Sequence, residues 1–172
     1  KGKELKLGDT RSILKDGIAF VSEDRKGVGL LLDVSIEENI SATAMQIKDK
    51  FLKKIGIRLA DNKAIRENAE KYIQSLDIRC TGPKQFTRRL SGGNQQKVCI
   101  ARALTLEPDL LFVSEPTRGI DIGAKKIVLD TLVELSKEQG MTVVMTSSEL
   151  NELRMVCDRI AIITEGKVEG IL

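Results

Sequence analysis

Residues 90–121 read LSGGNQQKVCIARALTLEPDLLFVSEPTRGID, and this stretch decides the fold. Its first half, a serine and two glycines at 91–93, is followed by apolar residues at helical spacing, which predict a helix that ends before Pro108. Its second half, LLFV at 110–113, is a continuous apolar run of the kind found in strands that are buried on both faces. The carboxylate of Glu115 follows at the end of that strand. The stretch therefore predicts a helix and a buried strand, each with polar groups at one end.

The same alternation of helices and strands continues on both sides of this stretch. A short apolar run at 17–22 predicts a strand that leads into a charged loop. Downstream, the pattern predicts a helix over 122–138, a buried strand over 142–146, a short helix over 149–156 and a strand over 159–164. A turn at 165–166 then leads to a last short strand. In the first of these helices the residues predicted to face inward are Ile127, Val128, Leu132 and Leu135. Strands that alternate with helices of this length predict a mostly parallel, doubly wound sheet, so the fold class is α/β.

Between the first strand and the serine-glycine motif this alternation is interrupted by helices. Ser35 and Glu38 have the spacing of a capping box, and the apolar pattern extends the helix that they open to Ile55, where Gly56 interrupts it. A second helix is predicted over 61–76, with the aspartate at its start as N-cap. We expect these two helices to form an insert in the α/β fold.

The composition excludes several kinds of chemistry. The 172 residues contain no histidine, which excludes a Ser-His-Asp triad and a zinc site with histidine ligands. A net charge of +3 and an aromatic content of 3% argue against a nucleic-acid surface. The three cysteines, Cys80, Cys99 and Cys157, lack the spacing of a metal site or a disulfide framework, so we expect buried, reduced thiols. The longest apolar runs are far shorter than the ~18 residues of a membrane span.

The serine and glycines at 91–93 suit the binding of a phosphate. The first N–H groups of a helix have no intrahelical acceptor and lie at the positive end of the helix dipole. Ser91 can cap the helix or donate to a phosphate, and glycines allow close approach because they have no Cβ. The alternative is an ordinary junction between a loop and a helix, with a serine cap.

Glu115 lies at the carboxyl end of its predicted strand, which is the edge where open α/β sheets bind ligands. A carboxylate at that edge can orient or deprotonate a water molecule for attack on a γ-phosphate. The alternative is a solvated carboxylate in a loop.

Together, and at this separation, the two motifs resemble the signature motif, Walker B strand and D-loop of an ABC-type ATPase. Three further segments, EDRK at 23–26, TRGID at 117–121 and SSEL at 147–150, resemble the second cassette of the tandem ATP-binding subunits of bacterial monosaccharide importers of the ribose, galactose and xylose type. The resemblance covers nearly the whole chain. It implies a partial P-loop NTPase fold, with a mostly parallel sheet and an inserted helical subdomain.

The resemblance also implies a division of the chain into three regions. Residues 1–34 correspond to the strand region of the Q-loop. Residues 35–90 correspond to the helical subdomain, which faces the membrane permease. Residues 91–172 correspond to the signature helix, the Walker B strand and the C-terminal α/β region.

Individual residues gain roles from the same resemblance. Glu115 corresponds to the catalytic residue that orients the attacking water, and Asp121 to the D-loop residue that crosses the dimer interface. Glu23 stands where most cassettes have the Q-loop glutamine, and Ser148 where most have the switch histidine. Some of the implied contacts are to a nucleotide that the opposite cassette holds. The positions implied to contact nucleotide are Ser91, Gly92, Gly93, Gln95, Asp121, Glu23 and Ser148.

Two departures from the family pattern concern the metal and the phosphate cradle. Ser114 stands where the family has the Walker B aspartate, so Ser114 and Glu23 are expected to be weak Mg²⁺ ligands at best. The Gly-Lys pairs in the sequence, at 2–3 and 166–167, do not complete the P-loop pattern GxxxxGK[ST]. The family places its P-loop upstream of the Q-loop strand, so we expect this chain to start after it. We therefore expect little ATP hydrolysis, and weak nucleotide binding, from the isolated chain.

The resemblance implies the ATP-binding subunit of a sugar ABC importer, which couples ATP binding and hydrolysis to transport. The implied cofactors are ATP and Mg²⁺. The implied partners are membrane permease subunits, a complementary ATP-binding cassette and, indirectly, a sugar-binding protein outside the cell membrane. The implied location is the cytoplasmic face of that membrane, and no nucleic acid is expected.

Two other functions are compatible with some features of the sequence. The first is a non-catalytic interaction module that binds a permease or a partner cassette. The second is a soluble ABC protein of translation or DNA repair, against which the balanced charge and the low aromatic content argue.

Overall fold

A computed structural model describes residues 4–5, 8–55 and 57–172. These described residues contain six α-helices, seven strands, a π-helical turn at Arg25–Gly29 and a 3₁₀ turn at Thr87–Arg89. The helices are α1 Thr10–Lys15, α2 Ile36–Lys48, α3 Asn62–Ser75, α4 Gly92–Leu104, α5 Ile122–Lys137 and α6 Leu150–Val156. The strands are β1 Ile18–Val21, β2 Leu52–Ile55, β3 Ile57–Ala60, β4 Leu110–Ser114, β5 Thr142–Thr146, β6 Ala161–Thr164 and β7 Lys167–Ile171.

The main sheet is parallel, as the sequence predicted. Its order is β1-β4-β5, so that the Walker B-like strand lies at the centre. Parallel strands direct their carboxyl ends to one edge, and this brings the residues after β1, β4 and β5 close together. In the described portion of the chain β6 and β7 form a separate antiparallel hairpin.

The predicted helix starts of the insert are confirmed. Ser35 Oγ accepts a hydrogen bond from the Glu38 N–H at 3.2 Å, and Glu38 Oε2 accepts one from the Ser35 N–H at 2.9 Å, which completes the capping box of α2. Asp61 caps α3, because its Oδ1 accepts the N–H groups of Lys63 and Ala64 at 3.2 Å. Together with α4, these helices form the helical half of the molecule, in which α4 packs against α2 and α2 packs against α3.

The prediction that the first insert helix continues to Ile55 is wrong. Helix α2 ends at Lys48, because Asp49 and Phe51 adopt positive φ angles of 53° and 60°. The chain then turns into β2, which pairs antiparallel with β3. Apolar spacing did not reveal this hairpin. The interruption predicted at Gly56 lies outside the described residues.

The core lies between the helical half and one face of the sheet. In α4, 10 of the 13 residues are buried, and they pack against buried residues of α2 and α5. Ala19, Val21, Leu111 and Val113 fill the inward face of β1 and β4, with relative exposures of 2% or less. The other face is open, since Phe20, Phe112 and Val144 lie in register across the three strands with exposures of 61%, 38% and 40%.

Three expectations of burial are therefore corrected. In β5, predicted to be buried, exposed residues alternate with partly buried ones. On α5, Val128, Leu132 and Leu135 face inward as predicted, but Ile127 is 38% exposed, because it lies beside the buried face. Of the cysteines only Cys99 is buried, and burial raises the pKa of its thiol to about 12. All three thiols are free, as expected.

Among the described residues, no helix combines the length and the apolar character that crossing a membrane requires.

Candidate functional site

The first component of the site is the N-terminus of α4. Ser91 is its N-cap, and the Ser91 Oγ accepts hydrogen bonds from the backbone N–H and the side-chain amide of Asn94 at 3.4 and 3.0 Å. Gly92 and Gly93 are the first residues of the helix, so their N–H groups have no intrahelical acceptor. The dipole of a 13-residue helix adds positive potential at this end. The exposed Ser91 and these donors are suited to an anionic group.

The two glycines also allow α4 to pack closely against the loop before α5 and the first turn of that helix. A Cβ on Gly93 would lie 2.5 Å from the Cβ of Ala124, and a Cβ on Gly92 would lie 3.1 Å from the Gly119 carbonyl oxygen. Such contacts are shorter than those that side chains normally make, so larger residues would push the two segments apart. The start of α4 and residues 119–124 are therefore held against each other, and we call these two segments together the signature face.

Hydrogen bonds of Arg25, Arg118 and Glu23, which we call the clasp, connect the charged loop after β1 to the signature face. Arg25 donates from Nη1 to the Arg118 carbonyl oxygen at 2.6 Å and from Nη2 to the Gly119 carbonyl oxygen at 3.4 Å. In return, Arg118 Nη1 donates to Glu23 Oε2 at 3.1 Å. Glu23 was predicted from the sequence as a site residue. Neither arginine was, although both lie in the segments EDRK and TRGID.

The second component of the site is Glu115, at the carboxyl edge of the sheet. Its backbone adopts φ 43°, which costs a residue with a side chain on the order of 1–3 kcal/mol. The Glu115 N–H donates to the Thr146 carbonyl oxygen at 2.9 Å. Ser148 then binds both carboxylate oxygens, from its N–H to Oε1 at 2.6 Å and from its hydroxyl to Oε2 at 3.3 Å. The structure thus brings Glu115 and Ser148 together, and fixes the carboxylate with two donors.

The remaining residues named from the sequence have separate partners. Asp121 is the N-cap of α5, since its Oδ1 accepts the Ala124 N–H at 3.0 Å. Gln95 is buried, and its amide donates to the Thr87 carbonyl oxygen at 3.3 Å. The neighbouring Gln96, which the sequence analysis did not single out, accepts from Arg25 Nη1 at 3.5 Å.

A buried carboxylate that was not predicted from the sequence contacts the two loops that hold Glu115. Glu152 is 5% exposed, and it accepts hydrogen bonds from the Thr117 and Ser147 hydroxyls and the Lys125 ammonium group. Burial raises the pKa of Glu152, but the hydrogen bonds from Thr117, Lys125 and Ser147 outweigh this effect, so the pKa lies below its usual value. The residue is therefore ionised at neutral pH. In the sequence, the position of Glu152 on a short predicted helix just after SSEL was the feature that could have pointed to it.

Comparison with known proteins identifies this arrangement. The model of the family described as "ABC transporter" matches residues 1–118. The chain belongs to this family. It is 40% identical over 171 residues to the "Ribose import ATP-binding protein RbsA" of Bacillus cereus, which covers 99% of this chain and 33% of that protein. It is also 40% identical to the "Ribose import ATP-binding protein RbsA 2" of Agrobacterium fabrum, over 99% of this chain and 32% of that protein. The chain thus spans about a third of the length of these curated relatives.

Solved ABC cassettes confirm the fold. A dimeric ATP-binding cassette in a post-hydrolysis state, bound to ADP and Pi, aligns with a TM-score of 0.78 at 24% identity, over 98% of this chain and 68% of that chain. A dimeric bacterial ABC transporter cassette aligns with the same TM-score at 25% identity, over 98% of this chain and 67% of that one. The chain has the ABC ATPase form of the P-loop NTPase fold.

The ABC family implies a nucleotide, typically with Mg²⁺. The described residues suit a phosphate group better than they suit the metal ion. The start of α4 fits a phosphate, since it offers backbone donors and the exposed Ser91. For the metal, Ser114 is neutral and its hydroxyl accepts from Thr146 Oγ1 at 3.3 Å, while Glu23 is paired with Arg118. The described residues contain no group of three or more Cys, Asp or Glu side chains that could hold a metal ion. Ser114 and Glu23 remain predicted ligands only.

Proposed function

We propose that this chain belongs to the second ATP-binding cassette of a tandem monosaccharide importer ATPase, and that it acts through its signature face. The observation that carries this proposal is the close packing of Gly92 and Gly93 against residues 119–124. That packing supports the proposal because it holds the start of α4, which would bind a phosphate, close to the loop of Asp121, which would be the D-loop residue. The names of the similar ribose import proteins support sugar import as the process.

Under this proposal the three regions of the chain have different tasks. Residues 1–34 carry the Q-loop position Glu23, residues 35–90 form the helical subdomain that contacts the permease, and residues 91–172 contain the signature helix, Glu115 and the C-terminal α/β region. The clasp between Arg25 and the carbonyl groups of residues 118–119 links the first region to the third. The complete protein would work at the cytoplasmic face of the membrane, bound to permease subunits and supplied by a sugar-binding protein.

The proposed mechanism divides the work between two surfaces. ATP, when bound, supplies the phosphoryl group, and the signature face binds a γ-phosphate held by a complementary cassette. Ser91 and the N–H groups of Gly92 and Gly93 donate to that phosphate, and the helix dipole favours its charge. Glu115, held by Ser148, orients or deprotonates a water molecule for a nucleotide in its own cassette.

The proposal predicts nucleotide-dependent association without hydrolysis by this chain alone. These 172 residues lack GxxxxGK[ST], so turnover at saturating Mg-ATP should stay far below the ~1 per second of ordinary enzymes. In contrast, a complementary cassette that contains a P-loop should bind this chain more tightly with ATP than without it. Phosphate release and sedimentation velocity measure the two quantities.

A substitution at the N-cap tests the signature face directly. Ser91→Asp keeps a good N-cap, but its negative charge opposes a phosphate, so we expect it to abolish the ATP-dependent association. Ser75→Asp, at an exposed serine that ends α3, is the matched control and should leave association unchanged. Association that is insensitive to both ATP and Ser91→Asp would instead favour the interaction module, and turnover of ~1 per second or more by this chain alone would contradict the predicted inactivity.

A further inference from the structure

We propose that Glu152 is a positioning residue for Glu115, because it anchors both of the loops between which the Glu115 carboxylate is held. The inference rests on the proposed function in one respect, the role of Glu115 as the residue that orients or deprotonates a water molecule.

The first anchored loop is the one that carries Glu115. Thr117 follows Glu115 by two residues, is 1% exposed, and has its hydroxyl oxygen 2.7 Å from both carboxylate oxygens of Glu152. A hydroxyl has a single proton, so it donates to one of these oxygens at a time. The contact nevertheless fixes the loop directly after the strained backbone of Glu115, whose φ of 43° needs support from its surroundings.

The second anchored loop is the one that binds the Glu115 carboxylate. Ser147 Oγ donates to Glu152 Oε2 at 3.1 Å. The next residue, Ser148, donates its N–H to Glu115 Oε1 at 2.6 Å. A single carboxylate therefore fixes the loop from which Glu115 extends and the loop that holds its side chain, so the distance between the two depends on Glu152.

The charge of Glu152 makes this anchor strong. Lys125 Nζ lies 3.1 Å from Glu152 Oε1, and together with the two hydroxyls it compensates a carboxylate that is 5% exposed. Hydrogen bonds to ionised groups are shorter and stronger than those between neutral groups. A neutral amide at this position keeps the volume but weakens the contacts to Lys125, Ser147 and Thr117 at the same time.

The chain offers a matched control at the N-cap of the same helix. Glu149 also contacts Lys125, with Oε1 at 2.5 Å from Nζ, but its side chain is 54% exposed. Glu149→Gln therefore removes a charge beside Lys125 and leaves the carboxylate that binds Thr117 and Ser147.

The test follows the Ser148 N–H by NMR in the nucleotide-free chain. In Glu152→Gln we expect the Ser148 amide to exchange about 10-fold faster, because the loop opens locally, while the amide of the buried Ile100 keeps its protection. Glu149→Gln should not change the exchange rate of the Ser148 amide by more than about 2-fold.

Two variants of Thr117 decide the matter if Glu152→Gln does not fold. Thr117→Ser keeps the hydroxyl and should retain the exchange rate of the Ser148 amide, whereas Thr117→Val has nearly the same shape without the hydroxyl and should raise it. Unchanged exchange of the Ser148 amide in Glu152→Gln, or equal exchange in the two Thr117 variants, would overturn the inference. Since no nucleotide or partner is present, this result is independent of the ATP-dependent association that tests the proposed function.

Discussion

Helix α4 and strand β5 both have apolar patterns that predict burial, yet only α4 is buried. Ten of the 13 residues of α4 lie in the core, whereas β5 alternates between exposed and partly buried residues. The difference lies in their neighbours. Helix α4 packs against α2, α5 and β1, while Val144 of β5 faces the open side of the sheet with Phe20 and Phe112. For these two elements the apolar pattern predicted the type of element correctly, but the burial of each depends on what covers it.

The two regions also differ in their polar contacts. In the helical half, Asn39 is completely buried, and its Oδ1 accepts from the Leu31 N–H. Its two amide protons are shared among three acceptors, the Thr87 hydroxyl and the Leu31 and Ser35 carbonyl oxygens. In β6 and β7 almost every residue is exposed. We therefore expect substitutions in the helical half to lower the free energy of unfolding more than matched substitutions near the C-terminus.

The largest expected difference concerns a pair of isoleucines. Ile100 of α4 is fully buried, and Ile100→Ala should lower the free energy of unfolding by about 2–5 kcal/mol, since it leaves a cavity in the core. Ile163 of β6 is 66% exposed, and Ile163→Ala should cost roughly 0.5 kcal/mol or less. Urea denaturation followed by circular dichroism measures both. Equal losses would mean that the contrast in burial does not determine stability.

A smaller difference is expected for a pair of asparagines. Asn39→Ala removes a buried amide and leaves the Leu31 and Thr87 groups without their partner, so it should cost about 1–3 kcal/mol. Asn151→Ala, at an exposed position of α6, should stay within roughly 0.5 kcal/mol of the parent. Thermal unfolding in one buffer compares them. If the asparagines prove equivalent, the polar network around Asn39 contributes little.

Most of the fold could be predicted because its signals are local. Capping residues at Ser35, Asp61 and Ser91 fixed three helix starts, and the apolar runs fixed all three strands of the parallel sheet. The antiparallel pair of β2 and β3 could not be predicted, since it follows residues 49 and 51, whose left-handed conformations helical spacing does not reveal.

The candidate site was only partly predictable for a similar reason. Ser91 and Glu115 stand at the ends of elements, where local sequence shows them. Arg25 and Glu152 act through contacts with residues 93 and 35 positions away, and no local pattern reports such partners. The fold brings these residues together.

The smallest expected effect concerns the pH dependence of the α2 capping box. The hydrogen bonds from the Ser35 hydroxyl and N–H lower the pKa of Glu38 more than its partial burial raises it. Because the folded pKa lies below the unfolded one, Glu38 stabilises the fold fully above the unfolded value of ~4.3, and this contribution is lost as the pH falls through the folded pKa.

Glu38→Gln should therefore destabilise the chain at pH 7, and its difference from the parent should shrink as the pH falls below ~4.3. Urea midpoints between pH 7 and 3 measure this, with Glu134→Gln on the exposed side of α5 as a control for the loss of one negative charge. A difference that stays constant over this range would show that the Glu38 carboxylate adds nothing beyond what an amide supplies. Helix α2 would then be held by its packing against α1, α3 and α4 and by the buried hydrogen bonds of Asn39, without a contribution from the charge of Glu38.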